Sequence, residues 1–272
     1  MIHLDAVSLK RAPGELGFPF DIPAVRSLST LAFREPVTFF VGENGSGKST
    51  LLEAIAVAAD LPVVGSEGAR EDQTLHAQRR LARLLRLVWR RRTHKGFFLR
   101  AEDFFGFAKR LSRMRSELQE RVREVETELA DASPYARGLA QGPARSSLAD
   151  MERRYGVDLD ANSHGESFLK LFGSSRLVPD GLYLLDEPEA PLSPQSQLAL
   201  IAMIADMVAS EAQFIIATHS PILLAFPGAA IYTFDRTPVE PVEYGDIEHV
   251  NLTREFLNDP ERYLRKLLNG ER

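Results

Sequence analysis

Eight consecutive residues, Gly42-Glu43-Asn44-Gly45-Ser46-Gly47-Lys48-Ser49, follow the spacing G-x-x-x-x-G-K-[ST]. Phosphate oxygens are dense in negative charge. Glycines let the backbone N–H groups of such a loop converge on them, and a following helix start adds a favourable dipole. Lys48 offers a point charge that can reach β- and γ-phosphates. The Ser49 hydroxyl suits Mg²⁺, and Thr50 can donate to an α-phosphate. The bland alternative is a glycine-rich strand–helix turn with no ligand. A dinucleotide fingerprint fits less well, because glycines at 42, 45 and 47 do not spell G-x-G-x-x-G.

A second candidate is Leu182-Tyr183-Leu184-Leu185-Asp186-Glu187, an apolar run ending in two carboxylates. On a strand neighbouring the phosphate loop, Asp186 would hold Mg²⁺ through water. Glu187, pointing the other way along a strand, could polarise an attacking water. By itself such a run is also an ordinary strand end. The third candidate is His219, in Ile215-Ile216-Ala217-Thr218-His219-Ser220-Pro221. A histidine after a strand is often structural. At the carboxyl end of a strand in the same sheet it would lie near a γ-phosphate, as a sensor or an orienter of water.

The elements that must position these groups are legible in outline. Val37–Val41 reads as a buried strand, and Ser49–Asp60 as a helix broken by Pro62 and Gly65. Arg79–Arg92 carries seven arginines, with Leu81, Leu84, Leu85 and Val88 at helical spacing. Gly96–Arg100 reads as a strand, and Phe107–Ala130 as one long amphipathic helix. Residues 131–147 are rich in Pro, Gly, Ser and Ala and read as a flexible connection. Strands follow at 181–185, 214–217 and 231–234, with a helix at 195–209. Thr253 is expected to cap a last helix that Pro260 interrupts. Short apolar strands alternating with helices predict an α/β fold, a mostly parallel sheet flanked by helices with an inserted helical subdomain, and the loop at 42–49 between strand and helix resembles that of a P-loop NTPase.

Composition sets outer limits. The 272 residues carry 33 Lys and Arg against 38 Asp and Glu, so the chain is not polybasic overall. The Arg79–Arg92 stretch could contact nucleic-acid phosphates, or it could be a solvated face balanced by carboxylates. There is no cysteine, which excludes disulfides, thiolate metal sites and a cysteine nucleophile. No apolar run approaches the roughly 20 residues of a membrane span, and the first residues lack a signal-peptide pattern. A cytoplasmic protein without direct membrane insertion is the expectation.

Together these segments resemble the ABC-type ATPase superfamily. GENGSGKST is similar to its Walker A motif, LYLLDEPEA to its Walker B with a catalytic glutamate, and ATHSP to its switch histidine. DEPEA with THSP is most similar to the soluble ABC-like group called AAA-family ATPases, related to SMC and OLD-type heads. The resemblance implies a single ATPase domain over residues 1–272. Its nucleotide-binding core would be 1–60 and 168–272, and its helical and signature subdomain about 61–167. It implies ATP and Mg²⁺ as cofactors, and catalytic roles for Lys48, Glu187 and His219. Ser163, Gly165 and Glu166 stand in the place of the signature motif, in Ser163-His164-Gly165-Glu166-Ser167, where His replaces the first glycine of LSGGQ and Glu its glutamine. Glu189-Ala190-Pro191-Leu192-Ser193 occupies the D-loop place without its usual residues. Glu102 stands where the Q-loop glutamine is expected and could ligate Mg²⁺, although an ordinary surface carboxylate reads as well. Phe18 and Phe20 are weak candidates for stacking on adenine. The resemblance further implies an ATP-dependent homodimer, with nucleic acid or a protein as partner, in repair or defence. A transporter's nucleotide-binding subunit and an ATP-gated dimerising module stay open as alternatives, and a P-loop kinase fits least.

Overall fold

The structure is a computed structural model that describes residues 1–11, 14, 17–64, 76–155 and 177–269, with side chains omitted at 102–111, 153–155, 266 and 269. Strand β3 (Val37–Val41) is buried along its whole length, as its β-branched and aromatic residues require. It lies in a six-stranded sheet with β5 (Gly96–Arg100), β6 (Leu182–Asp186), β7 (Gln213–Ala217), β8 (Ala230–Thr233) and β9 (Glu240–Pro241), in the order β5-β6-β7-β3-β8-β9. The first five strands in that order are parallel and β9 is antiparallel at the edge. All carboxyl ends of the parallel strands therefore point to one rim.

Each face of this sheet is covered. On one side α2 (Lys48–Ala59) packs with Phe40, Leu184, Ile215 and Ala217. On the other, α6 (Pro194–Ala209) and α7 (Pro221–Leu224) bury Phe39, Tyr183, Phe214 and Ile216. Residues alternate between the two cores along each strand, which is why the strands read as continuous apolar runs.

A smaller antiparallel sheet, β2-β1-β4, is formed by β1 (Leu4–Leu9), β2 (Thr30–Ala32) and β4 (Leu85–Trp89). The fully buried Gln213 staples it to β7: its Oε1 accepts from the N–H groups of His3 and Leu4 at 2.8 Å each, and its Nε2 donates to Leu4 O at 2.9 Å. Tyr232 on β8 adds a second tie, donating to Ala32 O at 2.7 Å.

Several sequence expectations change here. The Arg79–Arg92 stretch is not one helix: α3 (His76–Leu84) ends and β4 begins. Leu85, Leu87 and Trp89 alternate inward on β4, so a period of two was hidden beneath the helical one. The arginines do not form one basic face either. Arg80 lies over the Phe20 ring, Arg90 pairs with Asp5 at 2.7 Å, and Arg91 pairs with Asp180 at 3.1 Å. The long helix α4 begins earlier than expected, at Ala101, and runs to Glu128. Residues 131–147 are not a flexible connection, because α5 (Pro134–Tyr155) occupies them and returns along α4. Ser133 accepts from Ala136 N at 3.2 Å, and Pro134 supplies a preset first-turn φ. Thr253 is no cap: it lies inside α8 (Glu248–Asn258) and donates to His249 O at 2.7 Å. A short break separates α8 from α9 (Pro260–Asn269). Strands β4 and β5, both within residues 61–167, belong to the two sheets. Among the described residues no helix is long and apolar enough to cross a membrane.

Candidate functional site

The site is built on the carboxyl rim of β3, β6, β7 and β8. The loop from Gly42 to Gly47 joins β3 to α2. Gly42 has φ 144°, and a Cβ there would sit 2.9 Å from both Asp235 Oδ1 and Ser46 Oγ. Gly47 has φ 106°, and its Cβ would meet Ile22 Cγ2 at 2.6 Å. Both positions need glycine for conformation and for space. Glu43, Asn44 and Gly45 are exposed at the loop's crest, while Ser46, Ser49 and Thr50 are half-buried.

Lys48 is buried and folds over its own loop. Its Nζ donates to Gly42 O at 2.6 Å and to Glu43 O at 2.8 Å. Burial lowers its pKa, while Asp235, Glu187, Asp186 and Glu189 pull in the other direction. Its desolvated ammonium is a positive charge held at the loop by two carbonyls, within a site otherwise rich in carboxylates.

Strand β6 does not neighbour β3. Strand β7 lies between them, so the expectation of adjacency is corrected. The gap is spanned because α2 leans across β7, and Ser49 Oγ donates to Asp186 Oδ1 at 3.0 Å. Burial pushes the Asp186 carboxyl up to about 7, and the nearby carboxylates of Glu53 and Glu187 push the same way against the Ser49 hydrogen bond and Lys48. A buried carboxylate beside a hydroxyl, short of positive charge, suits a hard divalent cation that keeps several waters. No cluster of three or more His, Asp or Glu with metal-site geometry occurs among the described residues, and a Mg²⁺ site of one carboxylate and one hydroxyl does not need one. Behind Asp186, Glu53 pairs with Arg100 at 3.4 Å and accepts from Gln78 at 2.7 Å. The Glu102 side chain lies outside the described residues, as do Ser163, Gly165 and Glu166.

Glu187 is not a strand residue. It takes the left-handed conformation, φ 50°, just past β6, and its N–H donates to Ala217 O at 2.8 Å. This turn leaves its carboxylate about half exposed, with Oε1 4.0 Å from Nε2 of His219. His219 itself is placed through its backbone: its N–H donates to Glu189 Oε1 at 2.7 Å. Burial raises the pKa of Glu189, partly offset by its hydrogen bonds from His219 and Thr218. Ser220 then caps α7, accepting from Ile222 N and Leu223 N at 3.2 Å each.

Sequence reasoning missed three contributors. Asp235, just past β8, accepts from Glu43 N at 2.6 Å and so braces the phosphate loop. Its position after an apolar strand was the same signal that marked Asp186. Glu189 stands in the D-loop place, yet its role here is to hold the backbone of His219. His249, on the first turn of α8, has its ring centroid 6.1 Å from that of His219, and no spacing in the sequence links the two. Phe20 is buried with its face taken by Arg80, whereas Phe18 is exposed.

Residues 69–225 match the protein family described as "AAA domain, putative AbiEii toxin, Type IV TA system", and residues 22–74 match a family described as "AAA domain". No curated protein matches the chain. Among solved structures, the chain is similar to the Smc head domain of Pyrococcus furiosus with its extended coiled coil, at 13% identity and a TM-score of 0.48, covering 94% of this chain and 100% of that one. The SMC head domain of Thermotoga maritima is 17% identical with a TM-score of 0.42, covering 89% and 100%. A nucleotide-free ATP-binding cassette from an ABC transporter is 16% identical with a TM-score of 0.45, covering 96% and 97%.

Proposed function

This chain belongs to the AAA-domain family that spans its residues 69–225, and we propose that it binds ATP with Mg²⁺ and hydrolyses the β–γ phosphoanhydride. The observation that carries this reading is the meeting, on one sheet rim, of Lys48, the Ser49–Asp186 pair and the Glu187–His219 pair. Phosphoryl transfer needs little covalent help from a protein. It needs charge neutralised, a water aimed in line, and a place for that water's proton.

The chain supplies each part. Backbone N–H groups of Gly42–Ser49 receive phosphate oxygens, and Lys48 leaves its loop carbonyls for the terminal phosphates. Thr50, one residue further along α2, serves the α-phosphate. Ser49 and Asp186 would hold Mg²⁺, which when bound neutralises charge on the phosphate oxygens. Glu187, facing solvent, orients the attacking water and accepts its proton, and His219 steadies the γ-phosphate side of that geometry.

The proposal extends to assembly. Two copies pair head to tail, and Ser163, Gly165 and Glu166 of one cover the phosphates bound by the other. The output acts on nucleic acid or on a partner protein.

The test is steady-state turnover of Mg-ATP over a range of protein concentrations, with and without DNA, beside Lys48→Ala and Glu187→Gln. Specific activity should rise with protein concentration. Glu187→Gln should lose about 10³-fold in turnover while retaining ATP in a dimer, and Lys48→Ala should lose binding. A Glu187→Gln protein that turns over at the parent rate overturns the mechanism.

A further inference from the structure

We propose that His249 is a second imidazole for the terminal phosphate, making helix α8 a reader of whether the nucleotide is a triphosphate. The inference rests on the ATP reading above and extends it to a part of the chain that no motif covers.

The first observation is a cavity of about 630 Å³ on the β8 side of the phosphate loop, whose walls include Gly42, Glu43, His219, Asp235 and His249. His249 thus faces the same space as the loop and the histidine that follows β7. The two rings lie 6.1 Å apart at 57°, close enough for one phosphate to meet both.

The second observation is hydrogen-bond accounting. Nε2 of His219 and Nε2 of His249 are both shielded from water and neither has a hydrogen-bond partner. The Glu187 oxygen at 4.0 Å is too far from His219 to serve as one. Leaving such an atom unpaired is costly, and one phosphate could satisfy both of these neighbouring rings. Rotation about the soft terminal torsion of either side chain turns a nitrogen into the cavity.

The third observation is charge. Burial lowers the pKa of His249, and His219 and Lys48 push the same way against Asp235, so the ring is held neutral, with one N–H to donate to a phosphate oxygen. Asp235, whose Oδ1 accepts from Glu43 N, braces the loop side of the same cavity. Asp246, Glu248 and Arg236 also line the cavity, so its charged groups are of both signs.

The scaffold explains how His249 is held there. Tyr244, just before α8, donates to Pro221 O at 3.1 Å, two residues after His219. Both imidazoles therefore ride on one braced unit. A phosphate drawn to the pair pulls on α8, which carries Leu252 and Leu257 exposed to solvent.

The experiment is calorimetric binding of Mg-ATP and Mg-ADP to the Glu187→Gln chain, with and without a second change at position 249. His249→Ala should weaken ATP about tenfold and leave ADP within about twofold, and His249→Gln, which keeps a donor, should recover part of the loss. Hydrogen exchange of α8 should slow with ATP, less with ADP, and lose that difference in His249→Ala. An unchanged ATP-to-ADP ratio in His249→Ala overturns the proposal, as does an equal loss of both nucleotides, which marks a structural role only. If the Glu187→Gln chain with His249 intact binds neither nucleotide, the ATP reading itself fails, and this inference falls with it.

Discussion

The carboxyl rim of the large sheet and the α4–α5 hairpin solve opposite problems. The rim buries polar groups that apolar packing alone would never select: Lys48, Asp186, Thr218 and Ser220 are all buried there. The hairpin leaves large apolar groups outside, with Leu139 71% exposed, and buries few among its described side chains, Val125 and Gln141 being the examples. The rim is held by cores on both faces of the sheet. The hairpin is held by helix pairing, the Gln141 bond to Val122 O at 3.1 Å and an Arg115–Glu152 pair at 3.7 Å. The lesson is that packing is concentrated where charge must be kept away from water, and that a peripheral element can rest on local helix preferences.

The sharpest way to break that contrast is a matched pair of truncations. Phe214 is fully buried on β7 and stacks on Tyr183 at 5.1 Å. Phe214→Ala should cost about 3–5 kcal/mol in urea unfolding, and Leu139→Ala about 0.5 kcal/mol or less. Comparable losses from the two would mean that the hairpin is as integral to the fold as the rim.

A second measurement turns on Asp186. Its folded-state pKa is raised from 3.8 to about 7, so between those values the folded chain keeps a proton that the unfolded chain has released. This contribution favours the fold at low pH and is lost as pH rises, by up to about 4 kcal/mol across the interval. Unfolding of the nucleotide-free protein at pH 5 and pH 8 should therefore show a steeper loss for the parent than for Asp186→Asn. Equal slopes would show that the carboxylate is better solvated than its burial indicates.

The most local effect belongs to the hairpin. Ser133→Ala removes the cap on α5 and should cost about 1 kcal/mol, seen as faster amide exchange confined to the first turn of that helix.

The same contrast decides what was readable in the sequence. The phosphate loop was legible because Gly42, Gly47 and Lys48 are each demanded by a separate constraint at fixed spacing. Asp186 and His219 were legible because each ends an apolar strand. Asp235 carried the same strand-end signal but no motif singled it out, and His249 carried none; they reach the site when β8 lands beside β3 and Tyr244 ties the start of α8 to Pro221. Helix α5 was hidden by Gly138, Gly142 and Pro143, whose composition signals a break. Ser133, Pro134 and the intervening alanines outweigh them once α4 offers a surface. Strand β4 was hidden because Leu81, Leu84, Leu85 and Val88 fit a helix as well. Only the partner β1, paired Leu9 to Leu85 and Val7 to Leu87, selects the extended form.

Ala217, at the end of β7, is in register with Phe40 on one side and with Asp186 on the other, and its carbonyl receives the N–H of Glu187. It is the common benchmark from which the phosphate loop, the acidic pair and the histidine two residues on are all surveyed. The spacing between the two flanks is thus set through one position of one strand. A one-residue slip would misalign all three at once, leaving a protein that is either fully tooled or idle, with little in between.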